Sequence, residues 1–363
     1  MRPISEGISQ TDPQLAGLDG ERWEGLRRSL FRPHPAFRGA HANTIAAALW
    51  PRPTRRLRHL RREWWLHVPR GTVLRVECYE PEGPKRRALV ISHGLEGSSR
   101  SGYVLSTAAK ALAQGRHVYC LNTRNCGGTV LLTPTLYHAG LTEDLAAVVA
   151  SLKAQGFESI DLCGFSLGGN MALKLAAEWG VEAAQHVRSV AAISPCLDLP
   201  VAAQRLEHRD NRFYQRQFVS SCKKLIRLKS KLDPSAWSVT GLDEIRTLRE
   251  FDARFTAPDA GFRDVDEYYE KASALPKLGS LTTPSLIIQA QDDPLIPFES
   301  FERPEITEHP WIELLAPECG GHNAFLSAKG PDPDRFWAEH RLFEFLEALE
   351  EFEDEAPAQT RNR

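Results

Sequence analysis

The chain is 363 residues long, enough for one large α/β domain or two smaller ones around a sizeable core. Hydrophobic residues make up 42% and charged residues 25%, and a formal net charge of −2 gives no global argument for a nucleic-acid partner. The first twenty residues lack the basic start and apolar run of a signal peptide, and no apolar stretch approaches the length of a membrane span.

Seven cysteines (Cys78, Cys120, Cys126, Cys163, Cys196, Cys222 and Cys319) are scattered, with no C-x-x-C pair and no partner at metal-ligand spacing. Reduced core thiols in a cytoplasmic protein are the expectation.

Residues 1–62 are rich in Arg, Pro and Gly and read as an irregular or helical extension packing on the core, with a short helix at Thr44–Leu49. Its last part, "RPTRRLRHLRR" at 52–62, is densely basic. Such a run either makes peripheral contact with an anionic membrane or an acyl-CoA phosphate, or is a solvated surface.

From Trp64 the character changes. Eight β-rich runs follow: "WWLHV", "TVLRVECY", "RALVISHG", "HVYCLN", "SIDLCG", "SVAAIS", "SLIIQA" and "WIELLA". From residue 88 they are largely apolar on both faces, as buried parallel strands are. Amphipathic stretches at Tyr103–Gln114, Thr142–Gln155, Leu167–Glu178 and Pro333–Leu349 alternate with them. This predicts an α/β fold: one domain over 63–349 with an open, mostly parallel sheet flanked by helices.

One insertion, at about 198–280, lacks a core strand and reads as a helical cap over the C-terminal edge of the sheet. Within it Phe218, Cys222, Leu225, Leu228 and Leu232 are spaced as one apolar helix face, with Lys223, Lys224, Arg227, Lys229 and Lys231 on or beside the other. Residues 350–363 read as a disordered acidic tail.

The chemistry centres on "GFSLGG", residues 164–169. Ser166 follows a strand-like run and opens a helix, the order required of a nucleophile elbow, while Gly164 and Gly168 let strand and helix approach. A serine nucleophile needs a base, and the base needs an orienting carboxylate; in this fold class they follow the serine as Asp, then His, each on a loop after a strand. "QDDPLIP" supplies Asp292 and Asp293, and "PECGGHNAF" supplies His322, which alone among the five histidines after Ser166 has this setting. Asp293 is preferred as the acid because it opens the "DPLIP" turn; Asp292, a capping or supporting group on that reading, is the alternative. The backbone amides of Leu167 and of Leu95, in "HGLEGSS", are the expected oxyanion donors.

Beyond these residues the chain resembles an α/β-hydrolase of the AB hydrolase 4 family. "HGLEGSSRSGY", "LNTRNCGG", "YHAGLTEDL", "GFSLGGNMALK", "GGHNAF", the cap segment "TLREFDARFTAPDAGFRDVDEYYEKAS" and the N-terminal "FRPHPAFRGAHANT" all match its patterns, covering roughly residues 30–349. Asn125 stands where the family usually has glycine, and Asn tolerates left-handed backbone. The resemblance implies carboxylic ester chemistry through Ser166, Asp293 and His322, with no metal or organic cofactor, acting on short- to medium-chain acyl esters or lipids. Relatives include medium-chain ester hydrolases and synthases and phospholipases. Transfer of the acyl group to an alcohol, or a non-catalytic binding role, are the alternatives. Arg124 and Cys126 would support the elbow from behind, Cys163 would pack in the core, and Tyr268 and Tyr269 would line an acyl pocket or pack structurally.

Overall fold

The computed structural model describes residues 21–355 except Arg55, Arg56 and Arg58. Eight strands form a single sheet in the order β1-β2-β4-β3-β5-β6-β7-β8. They are β1 Arg61–Val68, β2 Thr72–Tyr79, β3 Arg87–Ser92, β4 His117–Asn122, β5 Ser159–Phe165, β6 Ser189–Ile193, β7 Ser285–Ile288 and β8 Ile312–Leu315. β1 and β2 pair antiparallel at one edge, β2 meets β4 antiparallel, and every pair from β4 through β8 is parallel. The expected mostly parallel sheet is therefore present.

Alternation along β3 shows why both faces had to be apolar. Ala88 and Val90 join one core cluster, with Leu145 and Val149 of α4 (Thr142–Ala154) and Met171 and Leu175 of α5 (Leu167–Trp179). Leu89 and Ile91 join another, with Val104 and Ala108 of α3 (Gly102–Ala113) and Leu342 and Phe345 of the last helix. Helices thus cover each face, and the central strands expose almost nothing.

Before the sheet lie α1 (Glu21–Arg28) and α2 (Ala40–Leu49), the latter starting four residues earlier than expected. α1 places Leu26 against the last helix, and α2 places Ala47 against Ala324, Leu326 and Phe336. Where it is described, the basic run is partly enclosed and partly exposed, with Arg61 and Arg62 at the surface. The side chain of Arg52 is enclosed, ion-paired with Glu339 and stacked 3.5 Å above the Phe336 ring. Arg61 and Arg62 reach Glu63 and Glu80, each at 3.6 Å. Arg55, Arg56 and Arg58 lie outside the described residues.

The final helix, Trp337–Glu355, runs past the expected end at Leu349. Glu350 explains the extension: it pairs with Arg87 and with Arg116, whose buried guanidinium also reaches Asp161 at 3.1 Å. A buried cation needs such partners, so the tail is anchored at its start. Its remaining residues, 356–363, lie outside the described residues.

Between β6 and β7 the chain is helical, with Leu199–Leu206, Arg212–Leu232, Leu248–Phe251 and Val265–Ala272, and a π-helical turn at Asp252–Thr256. The helix Arg212–Leu232 is rotated from the expected stripe: it buries Gln215, Val219, Cys222, Ile226 and Lys229, while Leu228 and Leu232 are 43% and 53% exposed. Both stripes have helical 3–4 spacing, so periodicity alone does not choose between them. Lys229 decides the rotation: its Nζ donates to the carbonyls of Thr133 and Pro134 and lies 4.8 Å from the Trp237 ring.

All seven cysteines are free thiols, six of them buried, and Cys163 packs in the core beneath α3. Among the described residues no helix is long and apolar enough to cross a membrane.

Candidate active site

β5 ends at Phe165, and Ser166 follows with φ 53° and ψ −117° before α5 begins. This is sparsely populated backbone for a residue with a side chain, and it costs on the order of 1–3 kcal/mol. The turn can be this sharp only because two neighbours lack a Cβ. One at Gly164 would sit 2.2 Å from the Gly168 carbonyl oxygen, and one at Gly168 would sit 2.4 Å from that of Ser92. The Ser166 amide is held by the Ile193 carbonyl at 2.9 Å.

The structure brings Ser166, His322 and Asp293 together. His322 Nε2 lies 3.0 Å from Ser166 Oγ, and His322 Nδ1 lies 2.8 Å from Asp293 Oδ2. The Asp293 carboxylate is fully buried and charge-satisfied: Oδ1 accepts from the amides of Leu295 (2.8 Å) and Ile296 (3.0 Å), and Oδ2 also accepts from Gln289 Nε2 (3.2 Å). The "DPLIP" turn thus aims the acid at the imidazole. With Oδ2 accepting, Nδ1 carries the proton and Nε2 faces Ser166 with its lone pair.

Asp292 points elsewhere. Its Oδ1 accepts from the amides of Gly320 (2.8 Å) and Gly321 (2.9 Å), bracing the loop that carries His322. Burial raises its pKa, and the two amides work against that rise.

Sequence reasoning overlooked the other brace. Thr44 of α2 accepts from the His322 amide at 2.9 Å, and Asn43 holds Leu326 on both sides, accepting from its amide (3.0 Å) and donating to its carbonyl (3.2 Å). Gly321, at φ 64°, allows this contact, since a Cβ there would lie 2.5 Å from Thr44 Oγ1. A threonine 278 positions from the histidine it supports gives no local signal. The match of "GAHANT" to a family pattern was the only pointer.

The loop after β3 runs against the elbow, with an added Cβ at Gly94 lying 3.1 Å from Ser166 Cβ. Leu95 and Leu167 both line the cavity beside Ser166, and neither amide is engaged by another described residue. The loop is pinned by His93, which accepts from the Thr123 amide on Nε2 (3.2 Å) and so donates from Nδ1 to the Gly94 carbonyl (2.7 Å). Complete burial lowers the His93 pKa to about 4, although the Gly94 bond opposes this. Unfolded His93 takes up its proton near pH 6.5, well before the folded form does, so its contribution is complete above pH 6.5 and drains as pH falls toward 4. Urea titrations of wild type between pH 7 and 4.5 should therefore show a loss from this group of about 2–3 kcal/mol. His93→Gln should flatten that part of the slope; an unchanged slope would locate the acid sensitivity elsewhere.

Arg124 forms a bidentate pair with Asp144, both bonds 2.7 Å, and fixes the loop carrying Asn125 onto α4. Asn125 does adopt left-handed backbone, at φ 66°. Cys126 is buried, and burial pushes its thiol up to about 12, so it stays protonated. Neither Arg124 nor Cys126 lines the cavity.

A cavity of about 390 Å³ opens over Ser166 and His322. Its wall is mainly apolar and comes largely from the helical insertion, through Leu199, Phe218, Cys222, Leu225, Tyr268 and Tyr269, with Thr44 and Ala48 of α2 closing another side. Tyr268 and Tyr269 line the cavity, and each hydroxyl is engaged, Tyr268 accepting from the Ala139 amide and Tyr269 donating to Asp252 at 2.9 Å. Asp252, on the π-helical turn, is raised to about 6 by burial, against two hydrogen bonds that favour its charged form. No group of three or more His, Cys, Asp or Glu able to hold a metal occurs among the described residues.

Residues 87–329 match the family model described as alpha/beta hydrolase fold. The chain is 29% identical over 321 residues to YheT of Escherichia coli strain K12, whose name proposes an esterase; the match covers 87% of this chain and 92% of that protein. It is 27% identical to the monoacylglycerol lipase of Saccharomyces cerevisiae, over 75% of this chain and 63% of that one. Among solved structures, the esterase Pf2001 of Pyrococcus furiosus shares the fold with a TM-score of 0.52 at 17% identity, covering 79% of this chain and 91% of that one.

Proposed function

The chain belongs to the alpha/beta hydrolase fold family, and from that premise we propose that it is a serine hydrolase of carboxylic esters, working through Ser166, His322 and Asp293. The observation that carries the reading is the unbroken relay Asp293–His322–Ser166, with spacings of 2.8 and 3.0 Å, at a strained turn beneath an apolar cavity. Relatives named as an esterase and a monoacylglycerol lipase support ester bonds over other acyl linkages.

His322 Nε2 takes the Ser166 proton as Oγ attacks the acyl carbonyl carbon. The carbonyl oxygen, now an anion, is bound by the amides of Leu95 and Leu167, with the positive end of α5 behind it. As the tetrahedral centre collapses, the ester C–O bond breaks and His322 returns the proton to the departing alkoxide, which leaves as an alcohol. Water then repeats the sequence on the acyl-serine, His322 taking its proton and restoring it to Ser166 as the acid is released. Asp293 stays ionised and holds the imidazolium.

The cavity volume of about 390 Å³ lies toward the small end of ligand pockets, which favours short- to medium-chain acyl groups over long ones. Purified protein should react with a fluorophosphonate probe at Ser166, and its kcat/KM on p-nitrophenyl esters should rise and then fall as the acyl chain lengthens. A protein inert to the probe would be a binding protein on this scaffold. With ethanol added, ethyl ester as the main product would reassign the enzyme as an acyltransferase.

A further inference from the structure

The helix Arg212–Leu232 has two faces of different chemistry. One lines the cavity through Tyr214, Phe218, Cys222 and Leu225. Across its 21 residues the helix carries seven cations (Arg212, Arg216, Lys223, Lys224, Arg227, Lys229 and Lys231) and no acid, on a chain whose formal net charge is −2. At about 100° per residue, all of these except the buried Lys229 fall within an arc of about 120° on the side away from the cavity.

Local acids do not neutralise that face. Arg227 pairs with Asp243 and Lys223 donates to the Asp243 carbonyl, while the nearby Asp210 is taken by Arg205 and His208. Arg212, Arg216, Lys224 and Lys231 have no charged partner among the described residues. Phe213, 67% exposed, lies within the basic arc near one edge, and the exposed Leu228 lies about 40° beyond that edge.

We propose that this basic face of the helix Arg212–Leu232 docks the protein on an anionic phospholipid bilayer, setting the cavity one helix thickness from the lipid. Charge complementarity identifies the partner: a row of cations about 30 Å long, with the exposed Phe213 ring among them, matches a surface that is negative outside and apolar just beneath. Nucleic acid would meet the cations but would leave Phe213 without a role. The choice of lipid also leans on the ester-hydrolase reading, because the opposite face of this helix lines the cavity over Ser166.

The test is co-sedimentation of the full chain with phosphatidylcholine vesicles, with and without one-third phosphatidylglycerol, across a salt series. Wild type should bind the anionic vesicles, weaken as salt rises, and ignore neutral ones. Arg216→Glu combined with Lys224→Glu and Lys231→Glu should lower the partition coefficient at least about a hundredfold. Hydrolysis of a water-soluble ester should be unchanged in that variant, which also shows that it folds. Phe213→Ser should weaken docking while keeping its salt dependence. Three results would each overturn the proposal: wild type failing to bind anionic vesicles, undiminished binding by the triple variant, or tighter binding to duplex DNA than to vesicles. Ser166→Ala should dock like wild type, so a failure of docking and a failure of the ester reading are read separately.

Discussion

Ser166→Ala should lower kcat/KM on soluble acyl esters by at least about 10⁴-fold, because it removes the atom that forms the acyl-enzyme and leaves only positioning and the oxyanion donors. The stability change should be small. Ser166 Oγ has His322 as its hydrogen-bond partner, and the imidazole it leaves lines the cavity beside it. One lost bond of this kind is worth about 1 kcal/mol. Ser166→Gly sharpens the result: at φ 53° and ψ −117° glycine avoids strain that both serine and alanine bear. The glycine variant should be as inactive as the alanine variant and at least as stable, read from its urea midpoint. A glycine variant clearly less stable than Ser166→Ala would mean that the turn stores no strain. Turnover of either variant near the wild-type rate would remove Ser166 from the chemistry.

Much of the fold was legible because its signals are local. Strands buried on both faces must be largely apolar, as β4 is, and β2 and β4 begin and end at the residues their β-rich runs mark, Thr72–Tyr79 and His117–Asn122. The elbow was legible for a similar reason: Gly164 and Gly168 are demanded by close approach within a few residues of Ser166. Other features depend on contacts across the chain. The rotation of the helix Arg212–Leu232 is settled by Lys229 reaching carbonyls near residue 133, and its two candidate stripes have the same period. The last helix continues to Glu355 because Glu350 meets Arg87 and Arg116, partners from β3 and the segment before β4. Arg52 looked like one of many surface arginines until Glu339 and the Phe336 ring enclosed it. Thr44 follows the same rule, since its role exists only once α2 lies on the histidine loop. Residues that line or brace a site from a distant segment are thus the ones local pattern cannot find.

Asp293→Asn and Asp292→Asn should separate the two adjacent acids by orders of magnitude. At Asp293 both oxygens are in use: Oδ1 takes the Leu295 and Ile296 amides, and Oδ2 takes His322 Nδ1. An asparagine keeps its single oxygen on the two backbone amides and turns its NH₂ toward the imidazole. His322 must then accept on Nδ1 and carry its proton on Nε2, the wrong tautomer for removing the Ser166 proton. The expected loss in kcat is about 10⁴-fold with KM little changed, since nothing in the apolar cavity wall has moved. At Asp292 only Oδ1 is used, by Gly320 and Gly321, and an asparagine oxygen replaces it directly. Asp292→Asn should retain activity within about tenfold of wild type, whereas Asp292→Ala, which frees the histidine loop, should lose about 10²-fold through misplacement of the imidazole. Steady-state kinetics of the three variants decides the matter. If the Asn substitution at 292 is the crippling one and that at 293 is mild, the orienting carboxylate is Asp292, and the bonds from Gly320 and Gly321 break when substrate binds.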